Sequence, residues 1–328
     1  MHKENPFPIR RHVLVTVPFG EPHMERLRKA AGSAATITQI ASLSTSPDSR
    51  ALLAHADAII GQPAPELLAG LTRLRWIQMT WAGSDLYTQR HTAFPQGVRL
   101  TNVAGAAFGH IISQYVVGQV LSLAQNLPAY TRQQERSEWK PAGPVMTLEG
   151  ATVLVFGAGD IGTRTAELLT AFSCHCLGVC RNTSQPRLPF ERLVTLPQTE
   201  ERLPMADVIV CCLPSTPETR GYLDERRLHL MKHGSILVNV GRGDFIDCDA
   251  LARVLSEGLL RGAALDVTNP EPLPADHPLW HEPRCSITPH QAGVSFGACA
   301  ATEERICTIC CDNLMRWLAG EPLTHVVI

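Results

Sequence analysis

Residues 152–162 read TVLVFGAGDIG, an apolar run that leads into three spaced glycines, and a segment with helical spacing follows. This is a Gly-x-Gly-x-x-Gly motif in the strand–turn–helix setting of a dinucleotide site. Gly157 permits the tight turn, Gly159 lets the backbone approach a pyrophosphate, and Gly162 lets the helix pack closely on the strand. The helix N-terminus, at Asp160 and Ile161, offers amides to the phosphates. The motif therefore predicts a bound dinucleotide, the alternative being a glycine-rich turn without a ligand.

The end of the next predicted strand, residues 174–180, indicates which dinucleotide is bound. The acidic residue that usually binds the free ribose hydroxyl about 20 positions after the motif is missing. Arg181, Asn182 and Thr183 stand there instead. Because a guanidinium suits a 2′-phosphate, these residues predict NADP, with NAD as a possible second cofactor. The alternative is that Arg181 is a solvated residue after a strand.

Short apolar runs alternate with helix-length segments along the chain, and this alternation predicts the fold class. Strands that are apolar throughout and alternate with helices are typical of parallel sheets covered by helices on both faces. We expect an α/β fold with two Rossmann- or flavodoxin-like, doubly wound parallel-sheet domains and a cleft between them. The predicted strands are 12–18, 58–61, 76–79, 98–102, 152–156, 174–180, 207–213, 235–240, 262–267 and 285–288.

Two features indicate where the chain passes between domains. Residues 108–127 carry no charge and, in this interpretation, form the longest helix, so a crossing is expected near their start. A second crossing is expected near residues 289–293, after which residues 299–318 read as one amphipathic helix that returns to the first domain. This predicts a substrate-binding domain of residues 1–103 and 293–328 and a dinucleotide-binding domain of residues 104–292.

Composition narrows the class of partner. The chain has 328 residues, of which 45% are hydrophobic and 18% charged, which excludes intrinsic disorder. Its 29 basic and 31 acidic residues give a net charge of -2, unlike a nucleic-acid binder.

No apolar run is long enough to cross a membrane, and no export signal is read. The 11 cysteines lie largely in apolar segments, which suits a cytoplasmic protein with a small-molecule partner. Cys307, Cys310 and Cys311 are interpreted as buried helix thiols, and no metal site is expected.

Three reactive side chains follow predicted strands in the second half of the chain. Arg242, Glu271 and His290 each lie shortly after an apolar run. In an open parallel sheet, ligands bind beyond the carboxyl ends of the strands, so the three are expected to face the same crevice as the glycine loop. Taken singly, each has a plain alternative: a turn cation, a solvated loop acid and a helix-terminus histidine.

The motifs together closely resemble the D-isomer-specific 2-hydroxyacid dehydrogenase family, and within it the glyoxylate/hydroxypyruvate reductase-like branch. The resemblance is carried, in order, by WIQMTWAG at 76–83, TN at 101–102, the glycine motif, LPSTPETRG at 213–221, NVGRG at 239–243, LDV at 265–267 with EPLP at 271–274, and TPH at 288–290. Ser113 and Gln114, and Thr268 to Pro270, depart from the common pattern of the family.

The resemblance implies roles for individual residues. Arg242 would anchor the substrate, His290 would act as acid and base, and Glu271 would be its partner and stabilise the imidazolium. Substrate binding is expected from Trp81, Ala82, Gly83, Arg242 and His290. Beyond the glycine motif and Arg181 to Thr183, cofactor contacts are expected from Leu213, Pro214, Thr219, Val240, Gly241, Arg242, Asp266, His290 and Gly293.

The expected function is therefore hydride transfer between NAD(P)H and a small 2-keto acid, with glyoxylate or hydroxypyruvate as the first candidates. One alternative is a reductase of bulkier 2-keto acids. The other, from a different class, is a dinucleotide-binding corepressor on the same scaffold. The resemblance also implies a homodimer, paired through residues 108–127, the alternative being that this helix is fully buried within one chain.

Overall fold

The computed structural model describes residues 10–40, 43, 46–88 and 94–328. Within these residues the chain divides into two compact units. The first contains the described residues up to Phe108 together with Val294–Ile328, and the second is Gly109–Gly293. The first division thus lies five residues after the expected boundary at 103, and the second lies one residue after the expected boundary at 292. The roles assigned to the two domains remain predictions.

The described part of the first unit contains one parallel sheet with the strand order β2-β1-β3-β4-β5. The first described strand, β1, lies inside the sheet, with β2 on one side and β3, β4 and β5 on the other, which is the flavodoxin-like order. The strands are β1 Arg11–Val15, β2 Ala35–Gln39, β3 Ala58–Ile60, β4 Trp76–Gln78 and β5 Arg99–Thr101. The helices are α1 Glu21–Ala31, α2 Pro47–His55, α3 Asp85–Thr88 and the late α9 Ala300–Ala319, with a 3₁₀ turn at Pro65–Leu67.

The second unit has a seven-stranded parallel sheet in the order β12-β11-β10-β9-β6-β7-β8. β7 and β8 follow β6 on one side of the sheet, and β9 to β12 are then added on the other side, as in a Rossmann fold. The strands are β6 Thr152–Phe156, β7 His175–Val179, β8 Arg192–Val194, β9 Val208–Cys211, β10 Ile236–Asn239, β11 Gly262–Leu265 and β12 Cys285–Ile287. The helices are α4 Gly109–Ala124, α5 Leu127–Glu135, α6 Asp160–Thr170, α7 Glu225–Leu230 and α8 Cys248–Ser256, with 3₁₀ turns at Leu196–Thr199, Leu203–Met205, Gly243–Phe245 and Pro278–Trp280.

The predicted class of two α/β domains with parallel sheets is confirmed, and all ten predicted strands are present, most with slightly different ends. The sequence interpretation missed β2 and β8. Both lie at an edge of their sheet, and each has only one buried side chain. By contrast, β9, β10 and β11 are buried along their whole length, as expected for strands between two layers of helices.

Residues 108–127 do not form one long helix, and that expectation is wrong in length. α4 ends at Ala124, Asn126 adopts a left-handed conformation with φ of 57°, and α5 begins at Leu127. The longest helix among the described residues is α9, with 20 residues. Its Cys307, Cys310 and Cys311 are buried. No described helix is long and apolar enough to cross a membrane.

A buried polar network ties α9 to the sheet of the first unit. Asn313 is fully buried and donates from Nδ2 to Gln78 Oε1 at 2.7 Å and to the Thr324 carbonyl at 3.1 Å. Its Oδ1 accepts from the Thr324 backbone N–H at 2.9 Å and from the Thr324 hydroxyl at 3.0 Å. Gln78 Oε1 also accepts from Thr101, which in turn accepts from the Trp76 indole. One side chain therefore connects a helix, a central strand and the C-terminal segment.

We expect Asn313→Ala to lower the free energy of unfolding by about 2–4 kcal/mol, because it leaves buried donors and acceptors without partners. Urea unfolding followed by circular dichroism measures this change. Asp312→Ala, an exposed neighbour on α9, is the matched control and is expected to change stability by less than about 0.5 kcal/mol. Equal losses for the two variants would contradict the structural role given to Asn313.

Candidate active site

The glycine loop has the geometry that its sequence predicts. Gly157 follows β6 with φ of +107°, and its N–H donates to the Val179 carbonyl at 3.0 Å. A methyl group at Gly162 would overlap the Gly157 carbonyl oxygen, so a side chain at this position would push α6 away from the loop. The Asp160 carboxylate accepts from the Gly109 N–H at 3.0 Å and from Arg164 Nε at 2.9 Å. Asp160 therefore fixes the start of α4 with its side chain, and the cofactor contact expected of it stays a prediction.

The N-terminus of α6 is suited to a pyrophosphate. No described side chain caps the helix at Gly159, and the space that a side chain would fill there is open. A helix N-terminus presents backbone N–H groups and a positive dipole to an anion. The residues present therefore fit a dinucleotide, whose phosphates Gly157 to Gly162 would hold. Burial raises the pKa of the nearby Cys212 thiol to about 12, so it stays protonated beside this loop.

Two arginines lie near the glycine loop, and the sequence analysis found only Arg181. Arg181 is exposed, two residues beyond Val179, whose carbonyl is bonded to the loop. Arg187 is also exposed and donates from Nη1 to the Ala158 carbonyl. The sequence analysis missed Arg187 because this residue lies outside any motif. It could have been found as a second cation in the irregular segment that follows the strand. Asn182 Oδ1 accepts from Ser184 and so folds this segment.

A carboxylate also lies near Arg181. The Thr216 hydroxyl holds the pKa of Glu218 below its ordinary value, and Arg181 acts in the same direction through its charge. Glu218 belongs to the loop 213–221 after β9. In that loop the Thr219 hydroxyl donates to the Pro214 carbonyl at 2.8 Å and accepts from the Thr216 N–H at 2.8 Å. Thr219 therefore shapes the loop, and the cofactor contact expected of it stays a prediction.

Arg242, Glu271 and His290 follow three neighbouring strands of the second sheet. Arg242 comes after β10, Glu271 after β11 and His290 after β12, and β11 pairs with both others. Because the strands are parallel, all three loops leave the same edge of the sheet, which is also the edge of the glycine loop. The sheet thus assembles the three residues that the sequence singled out.

The loop of Arg242 is held by its neighbours. Asn239 Nδ2 donates to the Arg242 carbonyl at 3.0 Å, and its Oδ1 accepts from the Gly241 N–H at 3.0 Å. A methyl group at Gly243 would overlap the Thr268 carbonyl oxygen, so the loops after β10 and β11 are in direct contact. The half-buried Arg242 side chain donates from Nη1 to the Gly241 carbonyl at 2.8 Å. These contacts restrict where its guanidinium can lie.

His290 and Glu271 form a close pair. His290 Nδ1 lies 2.7 Å from Glu271 Oε1, and the two side chains are 52% and 45% exposed. A carboxylate only accepts hydrogen bonds, so Nδ1 carries the hydrogen and donates it. The opposite ring atom, Nε2, takes no part in this contact. A histidine oriented by a carboxylate is the usual arrangement of a general acid or base.

Asp266 organises the loop that carries His290. It is 3% exposed, and its Oδ1 accepts from the Gln291 N–H at 2.7 Å and the Thr288 hydroxyl at 2.6 Å. Its Oδ2 accepts from the Ala292 N–H at 2.9 Å. The Asp266 carbonyl accepts from the His290 N–H at 2.9 Å. The structure thus shows Asp266 fixing the histidine loop, and the cofactor contact expected of it from the sequence stays a prediction.

The loop at residues 81–83 follows β4 in the first unit. Trp81 is 53% exposed, its carbonyl accepts from the Val103 N–H at 3.3 Å, and the Ala82 carbonyl accepts from Asn102 Nδ2 at 2.8 Å. With its amide oxygen facing the loop, Gln62 accepts from the Trp81 N–H at 3.1 Å. Gln62 was not found from the sequence because no motif includes it. The interpretation of Trp81, Ala82 and Gly83 as a substrate-binding loop stays a prediction.

The remaining predicted cofactor contacts occupy the same edge of the second sheet. Leu213 and Pro214 follow β9, Val240 and Gly241 follow β10, and Gly293 ends the second unit. Among the described residues no group of three or more His, Cys, Asp and Glu side chains converges as a metal site would require.

Comparison with known proteins agrees with this geometry. Residues 117–292 match the NAD-binding domain of the D-isomer-specific 2-hydroxyacid dehydrogenases. The glyoxylate/hydroxypyruvate reductase A of Serratia proteamaculans (strain 568) is 30% identical over 277 residues, which cover 82% of this chain and 85% of that protein.

Solved structures give the same result over nearly the whole chain. A D-isomer-specific 2-hydroxyacid dehydrogenase family protein from Aeromonas salmonicida subsp. salmonicida A449 has a TM-score of 0.85 and 35% identity, with 97% of this chain and 99% of that chain covered. A D-isomer-specific 2-hydroxyacid dehydrogenase from Xanthobacter autotrophicus Py2, in complex with NADPH and MES, has a TM-score of 0.77 and 26% identity, with 97% and 98% covered. The chain therefore belongs to the D-isomer-specific 2-hydroxyacid dehydrogenase family of oxidoreductases.

Proposed function

We propose that this protein reduces small 2-keto acids to D-2-hydroxy acids with NADPH, and that glyoxylate or hydroxypyruvate is its substrate. The observation that carries the proposal is the 2.7 Å contact between His290 Nδ1 and Glu271 Oε1 at the same sheet edge as the glycine loop. The substrate class rests on the 30% identical glyoxylate/hydroxypyruvate reductase A. Gly157 to Gly162 bind the cofactor phosphates in this proposal.

Arg242 binds and orients the substrate carboxylate in this mechanism. A guanidinium is planar and always charged, and it presents two parallel N–H groups that match the two oxygens of a carboxylate. Holding the acid at both oxygens fixes the direction of the adjacent carbonyl group. The loop contacts of Arg242 with Asn239 and Gly241 support this role, because they limit the motion of the arginine before substrate binds.

His290 supplies the proton that the reduction requires. The reduced nicotinamide supplies the hydride when it is bound, and the carbonyl carbon receives it. The carbonyl oxygen must gain a proton at the same time, and His290 donates it from Nε2. Glu271 stabilises the imidazolium before this transfer and keeps Nδ1 protonated after it. One keto acid, one NADPH and one proton thus give one hydroxy acid and one NADP⁺.

Arg181 and Arg187 select NADPH over NADH. A 2′-phosphate carries up to two negative charges and three acceptor oxygens, so two guanidinium groups near the glycine loop favour it strongly. Glu218 opposes this preference, because it is a carboxylate close to Arg181. The NADPH complex of the 26% identical relative supports the same cofactor.

The decisive experiment is a panel of initial rates with glyoxylate, hydroxypyruvate, pyruvate and phenylpyruvate, each with NADPH and with NADH. We expect the highest kcat/KM for glyoxylate or hydroxypyruvate with NADPH. The highest value for phenylpyruvate would assign the enzyme to bulkier 2-keto acids. Tight NADPH binding without turnover of any substrate would favour the corepressor-like alternative.

His290→Ala is expected to lower kcat by roughly 10²–10⁴-fold, since positioned proton transfer contributes about that much. NADPH affinity, measured by fluorescence titration, should be retained. His281→Ala, an exposed histidine after a 3₁₀ turn, is the control and should retain activity. A parallel loss of cofactor affinity and activity in His290→Ala would make His290 a structural residue.

Arg242→Lys is expected to impair catalysis nearly as much as Arg242→Ala, because an ammonium group is a point charge and cannot bind both carboxylate oxygens in the same plane. Steady-state kinetics should show the loss in both kcat and substrate KM. If the lysine variant keeps most of the activity, Arg242 acts only as a diffuse positive charge.

Arg181→Ala is expected to raise the KM for NADPH by roughly 10–100-fold, the value of one good hydrogen bond between charged groups, and to leave the KM for NADH nearly unchanged. Arg192→Ala removes an exposed arginine of β8 and is the control for net charge. Equal use of both nicotinamides by the unmodified enzyme would contradict the cofactor assignment.

A further inference from the structure

A chain of hydroxyl groups runs from α4 to the loop of His290. The Tyr115 hydroxyl lies 2.7 Å from Thr288 Oγ1, and Thr288 Oγ1 lies 2.6 Å from Asp266 Oδ1. Tyr115 and Thr288 are 173 positions apart in sequence. The chain therefore joins the first helix of the second unit to the end of β12.

The direction of these hydrogen bonds follows from the chemistry of the last acceptor. An ionised carboxylate has no hydrogen to give, so the Thr288 hydroxyl uses its one hydrogen on Asp266. Thr288 can then only accept from Tyr115, and Tyr115 is the donor. Burial raises the pKa of Tyr115, which keeps its hydroxyl protonated and able to donate.

The Asp266 carboxylate at the end of this chain is buried, and its described partners are uncharged. They are the Thr288 hydroxyl and the N–H groups of Gln291 and Ala292. A buried carboxylate needs such donors to offset its lost hydration. Losing one of them weakens the hold of Asp266 on the whole segment from Thr288 to Ala292.

His290 depends on that hold for its backbone conformation. Its φ is 55°, in the left-handed region that residues other than glycine seldom occupy. Such a conformation persists only where its surroundings impose it. Here the His290 N–H donates to the carbonyl of Asp266 and the next two N–H groups donate to its carboxylate. The direction of the imidazole is thus set by Asp266.

We propose that Tyr115 is a positioning residue for catalysis, acting through Thr288 and Asp266 to hold His290 in its left-handed conformation. This inference rests on the proposed function in so far as His290 is the proton donor. Tyr115 does not itself touch the reacting atoms. Its hydroxyl donates to Thr288, and this donation strengthens the hydrogen bond from Thr288 to Asp266, because hydrogen bonds in a chain strengthen one another.

The test uses Tyr115→Phe, Thr288→Val and the double variant in the full-length enzyme. Each single change is expected to lower kcat for glyoxylate by about three- to tenfold, with glyoxylate KM and NADPH affinity changed less than about twofold. Because both hydroxyls act in one chain, the double variant should be no slower than Thr288→Val. Thr288→Ser keeps the hydroxyl and should recover most of the loss. Tyr130→Phe, on α5, is the matched control.

Hydrogen exchange followed by mass spectrometry tests the same inference without turnover. Tyr115→Phe and Thr288→Val should speed exchange in a peptide covering residues 288–293 and leave a peptide covering residues 152–162 unchanged. If the unmodified enzyme reduces no 2-keto acid, the proposed function fails, and this exchange experiment still decides the role of Tyr115.

Three results would overturn the inference. The first is unchanged kcat and unchanged exchange in Tyr115→Phe. The second is a double variant whose loss is the product of the two single losses, which would mean independent actions. The third is faster exchange throughout the second unit with a lower Tm, which would make Tyr115 a general packing residue.

Discussion

Strands in a parallel sheet between two helix layers have both faces covered, and this constraint decides where chemistry can occur in this protein. β9, β10 and β11 are buried along their whole length, so nearly all their side chains serve packing, and the polar Asn239 at the end of β10 holds the loop that follows it. Polar groups for a ligand must come from the loops at the carboxyl edge. Arg242 and His290 lie in such loops, and the glycine loop leaves β6 at the same edge.

Those loops need support, because they carry polar backbone groups close to the core. The supporting side chains come from the same motifs as the reactive ones. Asp160 binds the first N–H of α4, Thr219 closes its own loop, and Asp266 fixes the loop of His290. A family motif therefore contains two kinds of residue. Some are expected to face a ligand, and others hold those residues in place. Sequence alone does not separate them, since both kinds are polar residues at strand ends.

The central strands and the site could be predicted because their signals are local. Apolar runs identify buried strands, and a glycine motif between a strand and a helix identifies a phosphate loop. β2 and β8 were missed because an edge strand is half exposed and loses the apolar signal. The length of α4 was overestimated because Asn126, in a left-handed conformation, separates two segments that are both compatible with a helix.

What the sequence could not supply are contacts between distant positions. Arg187 lies 29 positions from the Ala158 carbonyl that it binds, and Tyr115 lies 173 positions from Thr288. Neither belongs to a motif, and neither follows an apolar pattern that would mark it as functional. Their importance depends on which loops the fold brings together, and that follows from the strand order rather than from residue spacing.

The hydrogen bonds of Asp266 show how one buried residue can support a whole loop. A carboxylate offers about four acceptor positions, two on each oxygen. Thr288 and Gln291 occupy both positions on Oδ1, while Ala292 occupies one on Oδ2. These three donors lie on both sides of His290, so one buried side chain fixes the loop before and after that residue. One buried carboxylate therefore holds the backbone of His290 in its left-handed conformation, which residues other than glycine seldom adopt by themselves.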